Sequence, residues 1–247
     1  MAGARPTRRP VLLFPDTFTT HLTPSVEAAA RRVLDDAGLT PRTPEGRVCC
    51  GLTYVSTGQL DAARKVQRAT LDTLEREGLL DADDTTPLTV LEPSCAAALA
   101  TDLPELHPGD PRAHRLAARV RTFAQTLVAA DYQPPRLDRP VTGQTHCHQH
   151  AVLDTDADRT LRERAGLTGT LTGGCCGLAG NFGYEPGHYE VSVACAEDQL
   201  LPAVAAAPTG AAVLTDGYSC RTQLTQLSDA RPRHLAEVLA EGLESGT

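Results

Sequence analysis

"CCGLTYVSTGQLDAARKV", residues 49–66, is answered 126 residues later by "CCGLAGNFGYEPGHYEVSVAC", residues 175–195. In both, two adjacent cysteines and a glycine lead through a glycine-bearing loop into a helix-like pattern. The correspondence extends outward. "TVLEPSC" (89–95) and "LTDGYSC" (214–220) place Cys95 and Cys220 125 residues apart, and "VLLFPDTF" (11–18) pairs with "VTGQTHCHQ" (141–149), setting Asp16 against Cys147. Between them "DDAGL" (35–39) matches "ERAGL" (163–167). Landmarks in one order at nearly constant offset mark an internal duplication.

Each half alternates strand-like and helix-like segments. In the first, "VLLFP" reads as a short apolar strand and "SVEAAARRVLDDAG" as an amphipathic helix entered at Pro24 and closed at Gly38. A longer helix is expected from about Gln59 to Glu77 on Leu60, Ala63, Val66, Leu71 and Leu74, then a strand in "PLTVLEP" and one helix over "RAHRLAARVRTFAQTLVAADY". The second half reads as strand "PVTGQT", helix "DADRTLRERAG", strand "GTLTG", one helix from about Gly187 to Ala206, strand "AAVLT" and a last helix in "PRHLAEVLAEGL". The fold class is therefore α/β, as two tandem Rossmann-like repeats with mainly parallel sheets. The expected division is a linker-like, basic and proline-rich 1–10, a first repeat over 11–136 and a second over 137–247, with "QPPRLDRP" (133–140) as the punctuation. Chemistry in such sheets gathers in loops beyond the carboxyl ends of the strands, where the cysteines stand.

Composition narrows the function. A net charge of −8 with 23 scattered basic residues excludes a nucleic-acid surface, and 4% aromatic content without tryptophan leaves no platform for stacking bases. No apolar run is long enough to cross a membrane, and no secretory leader is visible, so a cytoplasmic location is expected. In such a compartment eight cysteines, four of them in two doublets, point to metal or cluster ligation rather than disulfides.

Three loops of the second repeat can converge on one pole, bringing Cys147, Cys175, Cys176 and Cys220 together. Four thiolates complete a ligand shell for an iron–sulfur cluster or for zinc. Adjacent cysteines chelate one tetrahedral ion poorly but can reach two irons of one cluster, and flanking glycines let backbone approach it. The first repeat offers Cys49, Cys50 and Cys95, with Asp16 as the matching fourth ligand. A carboxylate is harder than a thiolate, so that set favours zinc or no metal, and the 4Fe–4S cluster is expected in the second repeat. His148 and Phe182 are candidates for lining the site. Cys195 reads as helix packing. The bland alternative makes Cys175 and Cys176 small buried hydrophobes in a tight turn. A dithiol–disulfide couple between them is disfavoured by ring strain.

The doubled pattern, a cysteine after a strand, then Cys-Cys-Gly, then a closing cysteine, resembles the cysteine-rich CCG domain of heterodisulfide reductases and its relatives in glycolate, lactate and anaerobic glycerol-3-phosphate oxidation. The stretches "HCHQH", "GCCGLAGNFGYEPGHYEVS" and "DGYSCRTQL" are most similar to the C-terminal portion of proteins that join an FAD-linked 2-hydroxy acid dehydrogenase to an iron–sulfur segment. The resemblance implies an electron-transfer module that takes electrons from a flavin dehydrogenase toward a quinone or other acceptor, with FAD only on the partner. In that family five cysteines hold a non-cubane 4Fe–4S cluster, and some members bind zinc in one repeat. This chain departs from the pattern: Glu92 and Gly217 stand at the first cysteine of Cys-x-x-Cys, and Asp16 at another cysteine position. The alternative reading is a zinc-bearing structural or docking protein without redox activity.

Overall fold

The structure is a computed structural model, and it describes residues 8–245. Its strands are short, and the core of the first is fully buried: in β1 (Arg9–Leu13) residues Val11 to Leu13 are at most 2% exposed. Such runs cannot alternate in polarity, which is why they appear in the sequence as compact apolar blocks.

The chain divides into two compact units, one running to Leu91 and resuming over Ala98–Gln133, the other made of Glu92–Ala97 and everything from Pro134. The second unit thus differs from the expected linear division at 137 by holding one earlier segment. In the first unit β1 is followed by α1 (Pro24–Asp36), β2 (Leu39–Arg42), α2 (Leu52–Ser56), α3 (Leu60–Arg76) and β3 (Leu88–Val90). After α4 (Pro93–Ala97), which belongs to the other unit, come α5 (Leu103–Leu106), α6 (Pro111–Arg119), β4 (Val120–Thr122) and α7 (Phe123–Ala129). The four strands form one parallel sheet in the order β2-β1-β3-β4, with Leu12 opposite Leu88 and Leu88 opposite Val120.

The single helix expected over 112–132 is two. Val120 leaves the helix with ψ 130° to join the sheet, and Thr122 restarts it as an N-cap, its hydroxyl accepting from Gln125 N–H while the Gln125 side chain accepts from Thr122 N–H. Arg119 fixes the break. Its guanidinium donates to the Thr86 and Leu79 carbonyls at 2.7 and 2.8 Å and pairs with Asp84 at 3.1 Å.

The second unit carries β5 (Val141–Gly143), α8 (Cys147–Val152), α9 (Asp156–Arg164), α10 (Tyr189–Asp198), α11 (Leu200–Ala205), β6 (Ala212–Leu214), α12 (Tyr218–Leu227) and α13 (Leu235–Ser245). β5 and β6 are parallel. Single bridges flank the pair, from Pro140 and Gln144 to Thr168 and Thr172 on one side and from Leu214 to Arg233 on the other. The expected strand "GTLTG" (169–173) is reduced to the one bridge at Thr172, with another at Thr168 just before it, because Gly169, at φ +116°, interrupts the ladder. Counted in chain order, the spatial order is second, first, third, fourth, as in the first unit's sheet. The helix expected over 187–206 is also two. Gln199 leaves helical geometry, since Pro202 has no N–H for the Asp198 carbonyl and its ring would crowd that carbonyl. Among the described residues no helix is long and apolar enough to cross a membrane.

Candidate functional site

Parallel pairing puts the carboxyl ends of β5, β6 and the 168–172 segment at one pole of the second unit, and the loops leaving that pole carry Cys147, Cys175, Cys176 and Cys220. The four thiols form a continuous chain: Cys147 contacts Cys175, Cys175 contacts Cys176, and Cys176 contacts Cys220. Backbone donors point at them. Gly177 N–H lies 3.3 Å from the Cys175 sulfur, Leu178 N–H is aimed at Cys176 and His148 N–H at Cys147. Hydrogen bonds from Cys147 and Cys176 pull the Cys175 thiol down, against the effect of burial, while the same contacts and burial push Cys147 and Cys176 up. Of the three, Cys175 is thus the thiol whose ionised form its neighbours favour.

Gly177 makes the doublet possible. It sits at φ +84°, and a Cβ there would lie 2.1 Å from the Ser192 carbonyl oxygen of α10. The sulfurs rest on an apolar floor in which Cys176 and Cys220 pack with Leu178, Leu200 and Leu224. Among the described residues no three His, Cys, Asp or Glu side chains are grouped as the shell of one metal ion. A strung-out set of soft sulfur donors with backbone N–H groups aimed at it fits a polynuclear iron–sulfur group, whose sulfides take such donors.

The two positions at which the Cys-x-x-Cys pattern is lost are both occupied purposefully. A Cβ on Gly217 would lie 2.0 Å from His146 Cδ2, so the imidazole fills the space of the absent side chain. His146 is 5% exposed, and its Nδ1 accepts from His148 N–H at 3.2 Å. Burial, with His148 nearby, lowers its pKa to about 4, so the ring is neutral. Glu92, at the head of α4, accepts from Tyr218 N–H at 2.8 Å and from the Ser94 hydroxyl at 2.5 Å. Burial pushes its carboxyl up despite those bonds. Its Oε1 is 4.0 Å from His146 Nε2.

In the first unit the Cys49–Cys50 turn has the same local build, with Gly51 at φ +81° and its N–H 3.5 Å from the Cys49 sulfur. Contact with Cys50, then burial, pushes the Cys49 thiol up, and Asp16 acts in the same direction. Asp16 is buried and spends its carboxylate on Thr19, accepting from both its N–H and its hydroxyl. α3 clamps the turn: Thr70 accepts from Cys49 N–H and donates to its carbonyl, both at 2.9 Å, and Gln67 donates to the Cys50 carbonyl at 3.0 Å. Cys95 lies buried in α4, within the second unit.

His148 supplies a backbone N–H while its side chain is exposed, so the histidine buried beside Cys175 is His146. Phe182 stacks on His188, ring centroids 4.2 Å apart, in the loop tied to α12 by Gly180 N–H donating to the Ser219 hydroxyl. Cys195, expected to pack inside, is exposed; its Cβ is 2.9 Å from the position a Gly177 Cβ would take. Gln67 and Thr70 went unnoticed in the sequence, although polar residues interrupting the apolar stripe of α3 were the available signal.

Over residues 15–100 the chain matches the family model described as a cysteine-rich domain, CCG. It is 25% identical over 242 residues to lactate utilization protein A of Bacillus velezensis, covering 91% of this chain and 94% of that protein. A subunit of the anaerobic glycerol-3-phosphate dehydrogenase of Escherichia coli K12 is 25% identical over 240 residues, covering 94% of this chain and 59% of that polypeptide. D-2-hydroxyglutarate dehydrogenase of the same organism is 25% identical over 245 residues, of which this chain spans 22% of the longer protein.

Proposed function

We propose that this chain, whose residues 15–100 belong to the CCG family of cysteine-rich domains, is an iron–sulfur electron-transfer module of a flavin-linked 2-hydroxy acid oxidoreductase. Electrons come from a flavin dehydrogenase on a partner and leave toward a quinone or another acceptor. The observation that carries the reading is the chain of four contacting thiols, Cys147, Cys175, Cys176 and Cys220, beneath three backbone N–H groups. The names of the similar proteins, a lactate utilization protein, a glycerol-3-phosphate dehydrogenase subunit and a hydroxyglutarate dehydrogenase, support an oxidoreductase setting.

A 4Fe–4S cluster bound there would supply one-electron transfer. The chain's own residues do the rest. Leu178, Leu200 and Leu224 keep water from the inner sulfurs, and the N–H groups of His148, Gly177 and Leu178 offset negative charge. Neutral His146 adds no charge of its own. In the first unit the Cys49–Cys50 turn holds zinc or no metal, since Asp16 is already committed to Thr19 and Cys95, counted with them by sequence, lies in α4 of the second unit.

Anaerobic reconstitution with iron and sulfide tests this. Cys176→Ser should lose most of the iron and of the visible absorbance, and Cys50→Ser should lose little. Equal losses would move the cluster to, or share it with, the first repeat; zinc without iron in anaerobically purified protein would overturn the electron-transfer reading.

A further inference from the structure

Outside the cysteine set, the second unit has a small cavity between the end of β5, α9 and the segment after β6, where Gln144, His146, Asp158, Arg162, Thr215 and Asp216 stand among three leucines. Four of the residues that line it carry a side-chain atom buried without a hydrogen-bond partner, Gln144 Oε1, Asp158 Oδ2, Arg162 Nε and Thr215 Oγ1. Gln144 is 2% exposed and Thr215 1%. Buried polar atoms are almost always paired, so four unpaired atoms on residues that line one cavity call for an occupant.

The donor and acceptor types identify it. Arg162 Nε can only donate, Gln144 Oε1 and an ionised Asp158 can only accept, and the Thr215 hydroxyl does either. A bare cation would meet three oxygens but also the N–H of a guanidinium. An anion would meet two acceptors that repel it. A water accepts from Arg162 and Thr215 and donates to Gln144 and Asp158, satisfying all four. The cavity gives water centres about 20 Å³, where one water needs roughly 10–15 Å³.

We infer that this cavity holds an internal water and that Asp158, whose Oδ2 is sheltered from solvent, is a proton-binding site reached through it. Burial, helped by Asp216, pushes the Asp158 carboxyl up to about 7, against Gln149 and Arg162, which pull it down. The groups facing it are Arg162 from its own helix, Asp216 from the segment after β6, with His234 3.8 Å from that carboxylate, and His146 across the cavity. Once protonated, Asp158 donates to the water, which then turns a hydrogen toward Thr215. His146 lines the cavity on one side and lies within electrostatic reach of Cys175 on the other.

The functional consequence rests on the reading under Proposed function. When a reduced flavin on the partner delivers one electron to the cysteine set, one solvent proton converts the Asp158 carboxylate to the acid, so the unit's charge is unchanged.

Two measurements on the full chain separate the parts. In cofactor-free protein, a high-resolution crystal structure should show an ordered water in the cavity, and carbon-13 NMR, assigned with Asp158→Asn, should show the Asp158 carboxyl titrating near neutrality. Thr215→Val, which removes one partner of the water, should shift that titration. A dry cavity, or titration in the ordinary carboxylate range, overturns the proposal whatever the cofactor. In reconstituted protein the midpoint potential should fall as pH rises through neutrality, by up to about 59 mV per tenfold change in proton concentration, and should be flat over that range in Asp158→Asn. A flat wild-type potential overturns the coupling while leaving the iron–sulfur reading standing. Failure to take up iron overturns that reading and the coupling with it, while the cofactor-free result still decides the proton site.

Discussion

At Gly217 a missing side chain is answered by a neighbouring one, because the His146 ring occupies the room a Cβ would need. Gly217→Ala should therefore destabilise the protein by roughly 1–3 kcal/mol, as overpacking does, and His146→Ala in the same chain should recover part of that loss. Chemical denaturation of both single variants and the double variant forms the cycle, and additive effects would show that the two positions do not compete for space. Glu92 gives a pH signature. Its folded-state pKa is raised by burial, so the folded state holds its proton more tightly than the unfolded chain. Its contribution is greatest at low pH and is lost as pH rises through the unfolded and then the folded value. Glu92→Gln should flatten that decline as pH rises above the ordinary carboxylate range, as measured by urea midpoints; an unaltered slope would assign the decline to another group. These roles were partly legible beforehand. Glu92 and Gly217 stood out as departures from a cysteine pattern, but their partners are distant in sequence, 126 residues for Glu92 and Tyr218, and no local pattern encodes such a pairing.

At the scale of elements, the apolar blocks at β1, β3, β5 and β6 were legible because buried parallel strands have a strong local signature, whereas β2, part-exposed, and β4, inside a helical pattern, were not. Where the reading failed, tertiary demands interrupted a good helical pattern. The run 112–132 keeps its apolar periodicity, yet Val120 is drawn into the sheet beside Leu88 and Thr122 must restart the helix. Thr122→Ala should cost about 0.5–2 kcal/mol, with the loss concentrated in hydrogen exchange of the α7 amides; uniform loss across the first unit would argue against a local cap. On α3, Leu60 was expected inside but is 41% exposed, whereas Gln67 and Thr70 are buried. Their hydrogen bonds to the Cys49–Cys50 turn explain the inversion. Leu71→Ala, at a site with no exposure, should cost about 2–5 kcal/mol through cavity formation and leave iron uptake at the Cys176 doublet unchanged once folded.

On the scale of the whole molecule, the duplicated landmarks suggested two successive repeats, and the same spatial order of strands and bridges recurs in each unit. What a linear reading of repeats could not supply is the assignment of Glu92–Ala97 to the second unit, since a hexapeptide carries no signal for which of two similar cores it joins. That segment has a consequence for biosynthesis. The ribosome delivers α4 well before α8, against which it packs, and before Tyr218, to which Glu92 binds. Every one of its six residues is buried in the finished protein, so the nascent chain carries an unsatisfied apolar turn and a carboxylate without its burial partner until α12 has left the exit tunnel. Arrested nascent chains ending near residue 140 should accordingly be cut by protease around 92–97, and chains extended past α12 should be protected there. Maturation of this protein is thus timed by its carboxyl-terminal third.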